Sequence, residues 1–423
     1  MTILQTPSST IASLPSFESL GVAEPLLRAL RGADYHTPTS IQLQAIPPAL
    51  AGRDVLGCAQ TGTGKTAAFA LPILQHLSSR PAPVHGTRPV RALILSPTRE
   101  LASQIAASFE RYGVHTGLRT TVVYGGVGIG PQAATLRRGI DVLVATPGRL
   151  ADFLKQGLLS LEHVEVFVLD EADRMLDDGF LHEVRRIASR LPRKRQTLFF
   201  SATMPQAIRP LADQLLSDPV RVEATPVAST PDTVTQCVYF VDSKNKRALL
   251  SHLLDDGSIT RAIVFTRTKR GADRTALHLT DANIGTEAIH GDKTQGARER
   301  ALSRFREGRA RILVATDLAA RGIDIASISH VINFDLPEDP EAYVHRIGRT
   351  ARAGASGRAI SLCSHEERDR LASIEKLIRR RVPTVEHHPF APTGAASVVS
   401  SAPARSAWRG PSRGNVRRSS WKT

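Results

Sequence analysis

Short, mostly apolar runs punctuate this chain at intervals, among them Ala92–Leu95, Val142–Ala145, 164–169, 197–200, Ala262–Phe265, Ile312–Ala315 and His330–Asn333. Their length and lack of alternation predict strands covered on both faces. Between them apolar residues return at helical spacing. Strands alternating with helices predict βαβ units and parallel sheets. The two halves also echo each other. Leu143-Val144-Ala145-Thr146 recurs as Leu313-Val314-Ala315-Thr316, and Thr-Arg follows a strand at both Thr98-Arg99 and Thr266-Arg267. Two related α/β domains side by side are expected. The Pro-, Ser- and Thr-rich stretch 224–232 reads as the break between them, short enough to act as a hinge. The expected division is a flexible start over 1–14, a first domain over 15–222, a linker over 223–235, a second domain over 236–388, and a tail over 389–423.

Charge changes this picture. The 423 residues carry a formal net charge of +15, which points to a polyanionic partner. Nucleic acid comes before membrane, because no amphipathic basic helix stands out. The tail concentrates Arg405, Arg409, Arg413, Arg417, Arg418 and Lys422 without an acid, among Ser, Ala, Pro and Gly, and is expected to be disordered. Trp408 and Trp421 lie among these arginines. Two readings stand: aromatics that stack on bases, or a solvated solubility tail. Cys58, Cys237 and Cys363 are far apart and form no CxxC pair, so no zinc site or disulfide framework is expected. No run approaches the roughly 20 apolar residues of a membrane span, and residues 1–14 lack the pattern of a secretion signal. A cytoplasmic protein is expected.

The chemistry is concentrated in two segments. Ala59-Gln60-Thr61-Gly62-Thr63-Gly64-Lys65-Thr66 has the composition of a phosphate cradle. Gly62 and Gly64 let backbone N–H groups turn toward phosphate oxygens, Lys65 reaches the β- and γ-phosphates, and Thr66 offers a hydroxyl to Mg²⁺. The helix that starts there adds its positive end. Ala59 stands where the general pattern has Gly. About a hundred residues on, Asp170-Glu171-Ala172-Asp173 closes an apolar strand. Asp170 is placed to hold the magnesium, and Glu171 to orient and deprotonate a water. Together the segments indicate hydrolysis of a nucleoside triphosphate.

At this point the chain resembles a DEAD-box ATP-dependent RNA helicase of superfamily 2, over about four-fifths of its length. The resemblance implies two tandem RecA-like domains with parallel sheets flanked by helices. Leu20-Gly21-Val22 behind Phe17, with the short lead and basic tail, looks most like the bacterial RhlE-type branch. Thr37-Pro38-Thr39-Ser40-Ile41-Gln42 resembles the family's adenine-reading segment. There Gln42 would read the adenine edge, with Tyr35 stacking and Phe17 supporting. Ser201-Ala202-Thr203 resembles the segment linking the acids to domain closure, to which Asp173 would bond. Ala319-Ala320-Arg321-Gly322-Ile323-Asp324 matches motif V, with Asp324 on the ribose. His345-Arg346-Ile347-Gly348-Arg349-Thr350-Ala351-Arg352 matches motif VI. Arg349 and Arg352 would act as arginine fingers, and Arg346 would couple closure to chemistry. Ala351 replaces the usual Gly, which implies a crowded or stiffened turn and activity below the family norm.

The same resemblance implies an RNA track on the opposite edge of the sheets. Pro97, Thr98, Arg99, Gly126, Thr146, Gly148 and Arg149 would serve it in the first domain, and Arg267, Gly291, Gln295, Arg298, Thr316 and Arg321 in the second. Hydroxyls, arginines and glycine N–H groups suit phosphate and sugar, so binding without sequence preference is expected. Nothing in spacing or charge separates RNA from DNA; RNA comes from the resemblance. The expected activity is RNA-stimulated ATP hydrolysis, coupled to domain closure and local unwinding of short duplexes or ribonucleoprotein remodelling, by a monomer. An RNA clamp with little unwinding and a DNA translocase are the rival readings. A small-molecule kinase would have no use for motif VI.

Overall fold

The structure, a computed structural model, describes residues 15–59, 62–80, 88–177, 179–223, 234–320, 328–351 and 356–392. The first sheet holds β1 (Val55–Cys58), β2 (Ala92–Leu95), β3 (Thr120–Val123), β4 (Val142–Ala145), β5 (Val166–Leu169), β6 (Gln196–Ser201) and β7 (Val220–Glu223). The second holds β8 (Val234–Phe240), β9 (Ala262–Phe265), β10 (Thr286–Ile289), β11 (Ile312–Ala315), β12 (His330–Asn333) and β13 (Gly357–Cys363). Every pairing within the two sheets is parallel, in the orders β3-β4-β2-β5-β6-β1-β7 and β10-β11-β9-β12-β13-β8.

Set in sequence order, the second sheet repeats the first, with β8 to β13 in the places of β1 to β6. The sequence echoes fall on equivalent strands. Leu143–Ala145 lies in β4 and Leu313–Ala315 in β11, while the two Thr-Arg pairs follow β2 and β9. In the interior strands successive residues pack into opposite layers. Ala92 and Ile94 join Phe69, Phe109 and Phe200 on one face, while Leu93 and Leu95 join Phe153, Phe167 and Phe199 on the other. Helices cover both layers, which is why these strands read as unbroken apolar runs.

Edge strands carry polar residues and escaped that reading. Thr120 and Thr121 sit in β3, Arg221 in β7 and Glu287 in β10. The free edge of β8 is capped by the segment after the last helix. Val238 donates to Pro383 O and accepts from Val385 N, and Phe390 stacks against His252. Pairing there blunts an edge that would otherwise recruit other chains. Among the described residues no helix is long and apolar enough to cross a membrane.

Candidate nucleotide site and nucleic-acid edge

The phosphate loop follows β1, anchored where Ala59 N donates to Ser201 O at the end of β6. Gly62 and Gly64 take positive φ values of 87° and 94°, left-handed geometry that admits glycine without strain. Lys65 opens the helix Lys65–Ser78 and is buried, donating to Ala59 O at 3.0 Å with Asp170 at 3.7 Å. The segment at 37–42 braces this loop from the side. Thr39 Oγ1 donates to Thr63 O, and Gln42 Nε2 donates to Gly64 O at 3.0 Å. Gln42 Oε1 accepts from Thr39 N, so one buried amide ties the helix start to the loop. A Cβ on Gly64 would strike this amide. Tyr35 is exposed, edge-on to Tyr112, whereas Phe17 lies in the core. Thr61 falls outside the described residues.

Asp170 and Glu171 sit where β5 ends, each only 2% exposed. Burial pushes the Asp170 carboxyl up to about 6, against the pull of the Lys65 ammonium. Glu171 has a left-handed backbone, φ 54°, and its carboxylate accepts from Arg174 at 2.9 Å. Asp173 accepts from both the N–H and the hydroxyl of Thr203 and takes up Ser201 Oγ as acceptor for its own N–H. The structure therefore brings together the acids and the Ser201-Ala202-Thr203 segment, through strands β5 and β6 that are neighbours in space.

From the second domain, Arg349 is buried and lines a cavity of 280 Å³ together with Asp173, Arg174 and Thr203 of the first. His345 lines it too; burial and the nearby Arg174 guanidinium hold its imidazole down at about 4, neutral at pH 7. Arg346 is committed within its own domain: its fork grips both oxygens of Asp317 at 2.6 and 2.7 Å, and it donates to Asn333 Oδ1 and Asp335 O. Ala351 takes φ 56°, a left-handed conformation costing a residue with a Cβ about 1 kcal/mol. The position that sequence marked as unusual is thus a strained turn beside Arg349. Arg321, Asp324 and Arg352 lie outside the described residues.

The expected RNA residues gather on three adjacent strand ends in each sheet. In the first, β2, β3 and β4 lead to Pro97-Thr98-Arg99, Gly126 and Thr146-Pro147-Gly148-Arg149. In the second, the equivalent β9, β10 and β11 lead to Arg267, Gly291 and Thr316. Thr98 caps its helix by accepting from Leu101 N, and Gly126 has φ 79°, with Arg99 where a Cβ would go. Thr146 N donates to Val123 O, Gly148 faces open space, and Arg149 donates to Val127 O.

Several of these side chains also have protein partners that the sequence did not reveal. Arg298 pairs with Glu100 of the other domain at 3.0 Å, with both side chains largely buried. Arg99 donates to Gln295, again between domains. Arg267 pairs with buried Glu367, which also receives Lys246 at 2.6 Å. Glu100 carried a local signal in standing next to Arg99. Glu367 and Lys246 carried none, because their partners lie about a hundred residues away.

The sequence pattern of DEAD/DEAH box helicases matches residues 39–211, and that of the helicase conserved C-terminal domain matches residues 245–354. The DEAD-box ATP-dependent RNA helicase CshA of Geobacillus kaustophilus is 42% identical over 369 residues, covering 87% of this chain and 78% of that protein. S. cerevisiae Dbp5 bound to RNA and ADP BeF3 is 32% identical, covers 88% of this chain and 95% of its own, and has a TM-score of 0.79. A DEAD box protein from the hyperthermophile Methanococcus jannaschii is 36% identical and covers 88% of this chain and 99% of its own, with a TM-score of only 0.52.

Proposed function

The chain belongs to the DEAD-box helicase family, and from that premise we infer an ATP-dependent RNA helicase whose ATP hydrolysis is coupled to domain closure. The observation that carries the coupling is the shared cavity: Arg349 of the second domain borders the same space as Asp173 and Thr203 of the first. ATP binds on the first domain. Gln42 reads the adenine edge through the amide that already braces Gly64, with Tyr35 against its face. Thr63, Gly64 and Lys65 cradle the phosphates, with Thr61 completing the loop. A magnesium ion fits here, because Asp170 is a buried carboxyl whose ionisation burial opposes and a divalent cation would restore. Asp170 and Thr66 would hold it, and it would neutralise charge on the phosphate oxygens.

Glu171 orients the attacking water and takes its proton. To do so its carboxylate has to turn from Arg174 toward the γ-phosphate. Arg349, with Arg352, meets the charge that develops on that phosphate. RNA lies along the ends of β2, β3, β4 and β9, β10, β11, contacted through its backbone, and closing the two domains on it distorts one strand and opens a short duplex locally. Asp324 is assigned to the ribose and Arg321 to RNA. The domain division falls in the linker read from sequence at 223–235, between β7, which ends at Glu223, and β8, which begins at Val234, and the segment around Phe17 supports the RhlE-type branch.

The reading is tested by ATP turnover with RNA, with DNA and without polymer, followed by release of a short duplex strand. Stimulation by RNA alone is expected, and equal stimulation by DNA would sink the RNA assignment. Turnover without strand release would favour a clamp. Glu171→Gln should lower turnover by about 10²–10⁴ while leaving ATP-dependent RNA binding intact. Loss of that binding would contradict the water-activating role. Gln42→Ala should erase the preference for ATP over GTP, and an unchanged preference counts against adenine reading.

A further inference from the structure

We propose that the surface shared by the helices Pro147–Lys155 and Leu181–Ala188 is an auxiliary RNA-backbone site on the first domain, outside the track at the strand ends. Residues 181–195 hold Arg185, Arg186, Arg190, Arg193, Lys194 and Arg195 against a single acid, Glu183, and the facing helix adds Lys155 with one exposed acid, Asp152. Glu183 is half-buried, and one of its oxygens has no hydrogen-bond partner, so within 181–195 one carboxylate stands against six cations. Lys155, Arg185, Arg186, Arg193 and Lys194 are exposed, and none takes part in an ion pair among the described residues. Elsewhere the arginines of this protein commonly find carboxylates, as Arg88, Arg91 and Arg174 do. Leaving these cations together costs mutual repulsion that a bound polyanion relieves.

The shape agrees with the charge. Ala151, Leu154 and Ile187 floor a dimple of 160 Å³ between the two helices, and Lys155, Arg186 and Arg190 rim it. Arg190 is steadied by donating to Leu154 O. An apolar floor inside a cationic rim gives the face of a base an aliphatic surface to cover, with its flanking phosphates on the rim. The helix Pro147–Lys155 begins at Thr146-Pro147-Gly148-Arg149 on the RNA edge and ends at Lys155. The surface therefore starts about 10 Å from that edge, at ~1.5 Å per helical residue.

This rests on RNA being the polymer bound at the strand ends, and RNA length separates the two questions. The double variant Lys155→Glu with Arg186→Glu, in the full chain, is compared with the parent for ATPase stimulation by a ~10-nucleotide and an about 40-nucleotide single-stranded RNA. The apparent KM for the long RNA should rise roughly 3- to 10-fold, and its salt slope should fall by about 1. The KM and maximal rate with the short RNA should not change, which also shows that the variant is folded. Equal weakening with both lengths, or no change with either, overturns the proposal; the second result would leave the surface to an acidic protein. No stimulation of the parent by the short RNA would instead strike at the RNA assignment itself. As an independent measurement, photocrosslinking the long RNA to the unaltered chain should give adducts within 181–195, and their absence overturns the site.

Discussion

The carboxyl edge of the first sheet has two halves that are built differently. At β5, β6 and β1 the charged groups are buried and answered within the domain: Lys65 by Ala59 O and Asp170, Glu171 by Arg174, Asp173 by Thr203. At the end of β2 two polar side chains instead reach across to the other domain, through Arg298–Glu100 and Arg99–Gln295, while Thr146 and Arg149 after β4 bond within their own. The nucleotide half is assembled before the second domain contributes anything but Arg349 and its neighbours. The half proposed for RNA is where these ion pairs and hydrogen bonds join the domains. In the function proposed above, the first half serves the chemistry and the second serves closure.

Variants at each half can break this division. Arg349→Ala should have the largest effect, lowering the maximal ATPase rate by roughly 10³–10⁵ as loss of an arginine finger does elsewhere, with little change in RNA affinity. Comparable loss of affinity would mean that the cavity also serves closure. Arg298→Ala should act in the opposite sense, weakening RNA binding about 5- to 50-fold in the presence of ATP while leaving the rate at saturating RNA within a factor of a few. A double-mutant cycle with Glu100→Ala should return a coupling of about 1–2 kcal/mol, since these two side chains are in contact. A coupling near zero would remove the cross-domain pair from the account of closure.

Ala351→Gly should have the smallest effect and sharpens the nucleotide side. Releasing the left-handed strain at φ 56° should stabilise the protein by about 1 kcal/mol, visible as a rise of a few degrees in Tm. Turnover should stay level or rise, and a fall would show that the strained turn positions Arg349 productively.

Much of this was legible in the sequence, for reasons tied to locality. Strands buried on both faces announce themselves as apolar runs, and the phosphate loop and the acids are each contiguous. Edge strands such as β3 and β10 did not, because one side of them meets solvent and their polar residues break the run. The roles of individual RNA-edge arginines were also hidden. Arg267 and Arg298 stand where the family resemblance puts RNA contacts, yet each is also bound to a carboxylate that no local pattern connects to it.

By itself, then, the sequence determined the elements that short-range chemistry dictates: two repeated α/β units, one phosphate cradle, one set of acids, and an excess of positive charge. Tertiary structure alone decided which side chains meet. Sheet order set β5 beside β6, bringing Asp173 to Thr203, and set β2, β4 and β3 side by side as the edge proposed for RNA. It also brought Arg298 to Glu100, almost two hundred residues apart in the chain. The physical reason is that burial and spacing constrain each segment locally, whereas ion pairs between buried groups depend on how whole sheets and domains come to rest against one another.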